Sequence, residues 1–168
     1  MTDKSIYQFT VQCLNGEERN LIDYADRVLL IVNTASECNF TPQLQDLETL
    51  RNDFSGDDFS ILAFPSNDFG GQEPLDGDAI TTFCEINYDT HFEIFNKIRV
   101  RGQYAEPLYK FLANKKLNGT VGAAPRWNFH KYLINRNGEV VDFFYPFTKP
   151  TSSRIKKKIV KLLNSKTL

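Results

Sequence analysis

The sequence predicts an α/β fold in which helices flank a mixed sheet. Three observations support this prediction. Two apolar runs, the continuous aliphatic residues 28–32 and residues 59–64 with a single serine, are typical of buried strands, and the first should be covered on both faces. A helical pattern separates the two runs. Near the end of the chain, a hairpin pattern is followed by an amphipathic helix pattern.

Each predicted element has a local signal: apolar alternation or an aliphatic run for strands, apolar residues three and four apart for helices, and Asn-Gly for turns. In the first half we expect a strand over 7–11, a turn at Asn15-Gly16, a short strand through Leu21, a strand over 28–32, a helix from Thr41-Pro42 to Ser55-Gly56 and a strand over 59–64. In the second half we expect helices over 79–86 and 107–116, a hairpin of 127–134 and 140–145 around Asn137-Gly138, and a helix over 152–163. Thr41 should cap the first long helix, with Pro42 at its first position.

Composition and charge exclude several classes of protein. The chain has 168 residues, 41% of them hydrophobic and 24% charged, a balance typical of one globular domain, so we expect residues 1–168 to form a single domain. The formal net charge of −1 gives no field that would attract nucleic acid or an anionic membrane. No run reaches the roughly 18 apolar residues of a membrane span. Without a signal-peptide pattern, and with an odd set of three cysteines, we expect free or redox-active thiols in a reducing cytoplasm.

The position of Cys38 raises the question of what this thiol does. It lies in the polar segment VNTASECNFT, after a buried strand and before a helix, where reactive groups of open α/β sheets gather. A helix start favours the thiolate, which is the nucleophilic form. The alternative is an inert buried cysteine, and the polar neighbours Ser36, Glu37 and Asn39 argue against it. Thr41 stands where a CxxC dithiol reductase would carry its second cysteine, which disfavours that chemistry.

Three blocks in the same order, VNTASECNFT, FPSNDFGGQEP and WNFHKYLINRNGEVV, resemble the glutathione peroxidase family. Weaker similarity in FTVQCLNGEERNLIDY, LYKFL and FTKPTSSRIKKKIVKLL extends the resemblance over nearly the whole chain. The resemblance implies a thioredoxin-like fold and the reduction of hydroperoxides. The short segment between Lys116 and Trp127 resembles the monomeric, thioredoxin-using branch, because tetrameric members usually carry an insertion there.

The resemblance also implies which residues do the chemistry. The family's peroxide-reacting residue falls on Cys38, and its partners fall on Gln72, Trp127 and Asn128. Cys84 lies where thioredoxin-dependent members carry a resolving cysteine. Without the resemblance, Gln72 could be an ordinary loop residue, Trp127 a core aromatic and Cys84 a packed helix cysteine. Because neighbours in an ideal strand face opposite ways, either the chain should be irregular at Trp127-Asn128 if both reach Cys38, or one of the two should act through its backbone.

The implied reaction oxidises Cys38 to a sulfenic acid, Cys84 converts it to a disulfide, and an external thiol reopens the disulfide. Hydrogen peroxide and organic hydroperoxides are the expected substrates. Thioredoxin is favoured over glutathione as reductant, because an internal disulfide is a substrate of protein reductases. The alternative function is a peroxide sensor that passes its oxidation to a partner protein. We expect no cofactor and no metal, since the chain has no zinc-type His/Cys set, phosphate loop or dinucleotide fingerprint.

Several positions depart from the family pattern or have no role in this scheme. Asn39 replaces a glycine, and asparagine tolerates the left-handed backbone that a glycine can mark. Glu93 stands where proline is frequent, in a segment that the sequence does not explain. Cys13 is expected to pack, and His130 to be structural or to face solvent.

Overall fold

The computed structural model describes residues 3–165, and it contains the predicted alternation of strands and helices. The strands are β1 (Thr10–Gln12), β2 (Glu18–Asn20), β3 (Val28–Thr34), β4 (Phe59–Pro65), β5 (Glu93–Ile94), β6 (Lys131–Ile134) and β7 (Val140–Phe144). The α-helices are α1 (Gln43–Asp53), α2 (Asp78–Tyr88), α3 (Pro107–Ala113), α4 (Lys115–Asn118) and α5 (Ser153–Leu163). Short 3-10 helices span Ile6–Gln8 and Leu21–Tyr24.

The main sheet is mixed, as the sequence predicts. Its strand order is β5-β4-β3-β6-β7, with β3 parallel to β4 and antiparallel to β6. All seven residues of β3 are buried, which matches its aliphatic composition. β1 and β2 form a separate antiparallel hairpin. The prediction of a thioredoxin-like α/β fold is confirmed, because a mixed sheet runs through the centre and helices flank it.

Alternate side chains of β3 enter two different apolar clusters, one on each face of the sheet. Val28, Leu30 and Val32 belong to the first cluster, which α1, α2 and α5 complete. Leu29 and Ile31 belong to the second, which α3 and the β1–β2 hairpin complete. We name these the α1 cluster and the α3 cluster. The strand is therefore held from both sides of the sheet, and the loop at its carboxyl end adds Ala35 and Cys38 to the α1 cluster.

Two predicted elements have different boundaries for local reasons. The N-terminal strand predicted over 7–11 is wrong in its first half, where the Ser5 hydroxyl caps a 3-10 helix by accepting the Tyr7 N–H. The helix predicted over 107–116 is interrupted at Asn114, whose backbone is extended and whose side chain caps α4 by accepting the Lys116 N–H.

The hairpin prediction is correct for β6 and β7 but wrong for residues 127–130. These residues form a turn, and Phe129 takes a positive φ of 68°. Asn33, at the end of β3, holds this turn. Its backbone oxygen accepts the Phe129 N–H at 2.6 Å, and its Nδ2 donates to the Trp127 carbonyl at 3.1 Å. The irregular chain expected at Trp127-Asn128 is therefore confirmed.

Asn118 provides a test of buried hydrogen bonding on the α3 side of the sheet. Its side chain is buried and bonds five backbone groups. Its Nδ2 donates to the carbonyls of Phe111, Leu112 and Val121. Its Oδ1 accepts the N–H groups of Thr120 and Val121. Asn118→Ala should lower the free energy of unfolding by about 3 kcal/mol, because these buried groups lose their partner. Urea denaturation measures the loss, and the exposed Asn52→Ala is the control that should leave the midpoint unchanged.

Candidate active site

Cys38 lies in the loop that joins β3 to α1, as the sequence predicts. Tight turns lead from the cysteine into the helix, with Thr41 N–H donating to the Cys38 carbonyl at 3.0 Å and Leu44 N–H to the Thr41 carbonyl at 2.9 Å. Cys38 is 9% exposed. The Phe40 N–H donates to its Sγ at 3.3 Å. A backbone donor of this kind stabilises negative charge on the sulfur.

Thr41 does not cap α1, so the predicted capping role is wrong. Its hydroxyl accepts the N–H of Cys38 at 2.9 Å and donates to the Ala35 carbonyl at 2.9 Å. The helix begins at Gln43, after Pro42, which has no side-chain donor or acceptor for a cap. The threonine hydroxyl therefore stabilises the loop that carries the thiol instead of the first turn of the helix.

Gln72 is connected both to the Cys38 loop and to Asn128. Its backbone carbonyl accepts the Glu37 N–H at 2.9 Å, and its Oε1 accepts a hydrogen bond from Asn128 Nδ2 at 3.0 Å. Within residues 3–165 the Gln72 Nε2 has no hydrogen-bond partner, so its N–H groups are free to donate to a ligand. Asn128 is fully buried, and its Oδ1 also has no partner within the described part of the chain.

Trp127 packs against both apolar clusters, including the α1 cluster that contains Cys38. Its ring lies 5.5 Å from that of Phe69. A Cβ at position 70 would come within 3.2 Å of the Trp127 ring, and Gly70 also has a φ of +66°. Both facts require glycine at this position of the FGGQEP block. Among residues 3–165 the indole N–H has no hydrogen-bond partner, which leaves it as a free donor.

The turn that carries Trp127 and Asn128 is held by two residues that the sequence analysis did not select. Asn33 bonds both ends of the turn, as described above, and Lys131 Nζ donates to the Phe129 carbonyl at 2.6 Å. Burial lowers the pKa of Lys131 to about 7. The sequence does contain a signal for it, because a lysine interrupts the apolar pattern of FHKYLI.

Cys84 belongs to the same apolar cluster as Cys38, whereas Cys13 packs on the opposite face of the sheet. Cys84 lies on α2, is 4% exposed, and is a free thiol, as Cys38 is. Burial, together with the charges of Glu73 and Glu85, raises the pKa of Cys84 to about 12. The thiol is thus held protonated while α2 is folded.

Glu73 is a third residue that the sequence did not single out, after Asn33 and Lys131. It is buried, and the Ser36 hydroxyl donates to its two carboxylate oxygens at 2.8 and 3.0 Å. Burial raises the pKa of Glu73, while the hydrogen bond from Ser36 opposes that rise. Glu73 therefore connects the Cys38 loop to the segment that precedes α2, and its charge reaches Cys84.

Comparison with known proteins agrees with this geometry. The sequence profile of the family described as glutathione peroxidase matches residues 6–113. The chain belongs to the glutathione peroxidase family. It is 45% identical over 159 residues to the glutathione peroxidase homolog BsaA of Halalkalibacterium halodurans, covering 95% of this chain and 99% of that protein. It is 42% identical to the hydroperoxy fatty acid reductase gpx1 of Synechocystis, covering 88% of this chain and 90% of that protein.

A solved structure supports both the fold and the enzyme class. The crystal structure of Trgpx in apo form matches with a TM-score of 0.77 and 34% identity, covering 96% of each chain. The protein is accordingly a peroxidase, an oxidoreductase of the kind that reduces peroxides. Among residues 3–165, no helix of this glutathione peroxidase family member is long and apolar enough to cross a bilayer.

His130 of this peroxidase is enclosed by aromatic side chains. His130 is fully buried among the rings of Tyr132, Phe143 and Tyr145, and burial lowers its pKa to about 4, so the imidazole is neutral. Of the two roles expected for His130, the structural one is confirmed. Within the described ranges, the His, Cys, Asp and Glu side chains do not group in threes that could hold a metal.

The positions that depart from the family pattern have structural explanations. Asn39 is not among the residues with positive φ, so the left-handed backbone considered for it is not needed. Glu93 accepts hydrogen bonds from Arg19 and from the Tyr24 hydroxyl, and it thereby joins the β1–β2 hairpin region to β5. The glutamate that the sequence left unexplained therefore ties two sheet edges together.

Proposed function

We propose that this family member is a thiol peroxidase in which the Cys38 thiolate attacks the terminal oxygen of hydrogen peroxide or an organic hydroperoxide. An S–O bond forms, the O–O bond breaks, and the departing oxygen takes up a proton to leave as water or an alcohol. Cys38 remains as a sulfenic acid. The observation that carries this proposal is the continuous link from the Cys38 loop through Gln72 to the buried Asn128.

In this scheme, two free donors stabilise charge as the O–O bond breaks. The Gln72 amide can donate through Nε2, because Asn128 occupies its Oε1 and so fixes which end of the amide faces outward. The Trp127 indole supplies a second N–H. Fixed donors at a developing charge are the usual source of a large rate enhancement. Gln72 and Trp127 are therefore proposed as catalytic donors, and Asn128 as the residue that orients Gln72.

Cys84 is proposed as the resolving thiol. It would condense with the Cys38 sulfenic acid to form a disulfide and release water. A dithiol reductant would then reduce this disulfide by thiol–disulfide exchange and become oxidised itself. Because Cys84 is buried and its pKa is raised to about 12, α2 must open locally before the thiol can react. Membership of the same apolar cluster as Cys38 supports Cys84 for this role over Cys13.

The proposal extends to the reductant and the setting. An internal Cys38–Cys84 disulfide favours thioredoxin, whereas the names of the relatives point to glutathione. We further propose that residues 1–168 act as one monomeric peroxidase domain in a reducing cytoplasm, where the three free cysteines would stay reduced.

The decisive experiment is peroxide-dependent oxidation of reduced thioredoxin by catalytic amounts of the protein, run beside the same assay with glutathione. Fast turnover with thioredoxin and slow turnover with glutathione are expected. Peptide mapping after one equivalent of peroxide should find Cys38 linked to Cys84, with Cys13 free. Turnover only with glutathione, or over-oxidised Cys38 beside free Cys84, would refute the thioredoxin-linked cycle.

A peroxide sensor that relays its oxidation is the second candidate, and the burial of Cys84 favours it. If α2 opens slowly, the Cys38 sulfenic acid persists and can react with a cysteine of a partner protein. A trapped mixed disulfide between Cys38 and a partner, combined with poor steady-state turnover, would support this function. Rapid steady-state turnover with thioredoxin or glutathione would exclude the sensor function.

A further inference from the structure

Lys131 is a buried ionisable residue that the catalytic scheme above does not use. It is the first residue of β6, it pairs in register with Val32 and Phe144, and its side chain is 0% exposed. The hydrogen bonds of its Nζ go to backbone carbonyls, and Asp46 is the carboxylate whose charge acts on it. Burying a charge in this way is costly unless hydrogen bonds compensate for it.

The hydrogen bonds of Lys131 reach two carbonyls next to the candidate active site. Nζ donates to the Phe129 carbonyl at 2.6 Å and to the Pro146 carbonyl at 3.1 Å. Phe129 is the residue with positive φ that ends the Trp127-Asn128 turn. A residue held in that region is strained, so it persists only where its surroundings fix it. The lysine supplies one such contact, and Asn33 supplies the others.

The Pro146 carbonyl connects the same lysine to the helix that follows Cys38. It accepts a second hydrogen bond from Gln43 Nε2 at 2.7 Å, and Gln43 is the first residue of α1. Lys131 therefore joins three separate segments: the turn that bears Trp127 and Asn128, the loop after β7, and the start of α1. A methionine of similar length would pack in this place without the cost of burying a charge, but it would join none of them.

We propose that Lys131 is a positioning residue that fixes the Phe129 carbonyl and so holds Trp127 and Asn128 in register with the Cys38 loop. This inference rests on the proposed function, because it assigns Lys131 to the step in which Cys38 reacts with peroxide. It requires no contact between the lysine and the peroxide. Loss of the lysine should therefore slow the oxidation of Cys38 and leave the reduction of the disulfide unaffected, because the reduction does not use the Trp127-Asn128 donors.

The test is Lys131→Met, with each half of the cycle measured separately. Reduced protein is mixed rapidly with hydrogen peroxide, and emission from Trp127, which is the single tryptophan of the chain, reports the reaction. The second-order rate constant for Cys38 oxidation should fall about 100-fold, as small misplacements of catalytic groups produce. Reduction of the preformed disulfide by thioredoxin should keep its wild-type rate, and the Trp127 emission of the reduced protein should shift.

Asn118→Ala is the matched control, because it removes a buried side chain that holds a backbone turn on the opposite side of the sheet. It should lower stability but keep the wild-type rate of Cys38 oxidation. A Lys131→Met protein that folds and oxidises at the wild-type rate would overturn the proposal, and so would equal slowing of both variants.

If Lys131→Met does not fold, Lys131→Gln replaces it, since the shorter amide cannot bond both carbonyls. A reduced rate of Cys38 oxidation is again expected, and an unchanged rate overturns the proposal. If wild-type Cys38 does not react with peroxide, the proposed function fails instead. In that case the Trp127 emission still tests the positioning role, and emission unchanged by the substitution refutes it.

Discussion

Replacing Cys38 by serine should abolish peroxide reduction, with turnover lowered by at least about 1,000-fold. A serine hydroxyl is hardly ionised at neutral pH and cannot form a sulfenic acid, so the first step has no nucleophile. The fold should persist, because serine is close in size and its oxygen can still accept the Phe40 N–H. Peroxide consumption with thioredoxin as reductant measures the effect.

Cys13→Ser is the matched control for this substitution. Cys13 is the third free cysteine, and it packs on the face of the sheet opposite Cys38. It should keep wild-type turnover and wild-type disulfide formation. Substantial peroxidase activity in the Cys38→Ser protein, or loss of activity in the Cys13→Ser protein, would show that the wrong thiol has been assigned.

Cys84→Ser should lose thioredoxin-driven turnover by about 100-fold or more while still consuming one equivalent of peroxide. The first step needs Cys38 alone, so a single sulfenic acid forms at the normal rate. Without the second thiol no internal disulfide can form, and the protein reductase has no substrate. In a stopped-flow experiment we expect one equivalent of peroxide to be consumed rapidly and no turnover to follow. A reagent selective for sulfenic acids should then trap the oxidised Cys38.

The burial of Cys84 complicates this variant and requires its own control. A serine hydroxyl placed in the apolar cluster would lack a partner and would destabilise the protein by about 1–3 kcal/mol. Cys84→Ala removes the thiol without burying a hydroxyl, and it should show the same loss of turnover. If either variant folds and turns over normally with thioredoxin, Cys84 is not the resolving residue.

Local patterns in the sequence predicted the parts of the fold that are governed by continuous burial. β3 appears through a continuous aliphatic run and β4 through a mostly apolar one, because both faces of a central strand are covered, and α5 appears through the spacing of Ile155 and Ile159. The prediction failed at 127–130, where strand-like residues form a turn. The cause lies 94 residues away, in the contact of Asn33 with Trp127, and no local pattern could reveal it.

The residues of the candidate site also fall into those that the sequence could identify and those that only tertiary contacts reveal. Cys38 was selectable from its place between a strand and a helix, whereas Gln72, Trp127 and Asn128 were selectable only because their motif blocks resemble those of the glutathione peroxidase family. Lys131 and Glu73 were not selected, because their relevance depends on what their side chains touch. A lysine at a buried position of an apolar segment is a residue type that does not match its surroundings, and such mismatches concentrate at functional sites.

The sequence by itself determined the alternation of the long strands and helices, the membership of the glutathione peroxidase family and the identity of the candidate nucleophile. These properties follow from hydrophobic periodicity and from residues that are adjacent in the chain. Only the tertiary structure decided that the Gln72 amide is oriented by Asn128, that Thr41 stabilises the cysteine loop instead of capping a helix, and that Cys84 is buried as a protonated thiol. Hydrogen-bond partners and desolvation depend on segments that are remote in sequence, and packing alone brings those segments together.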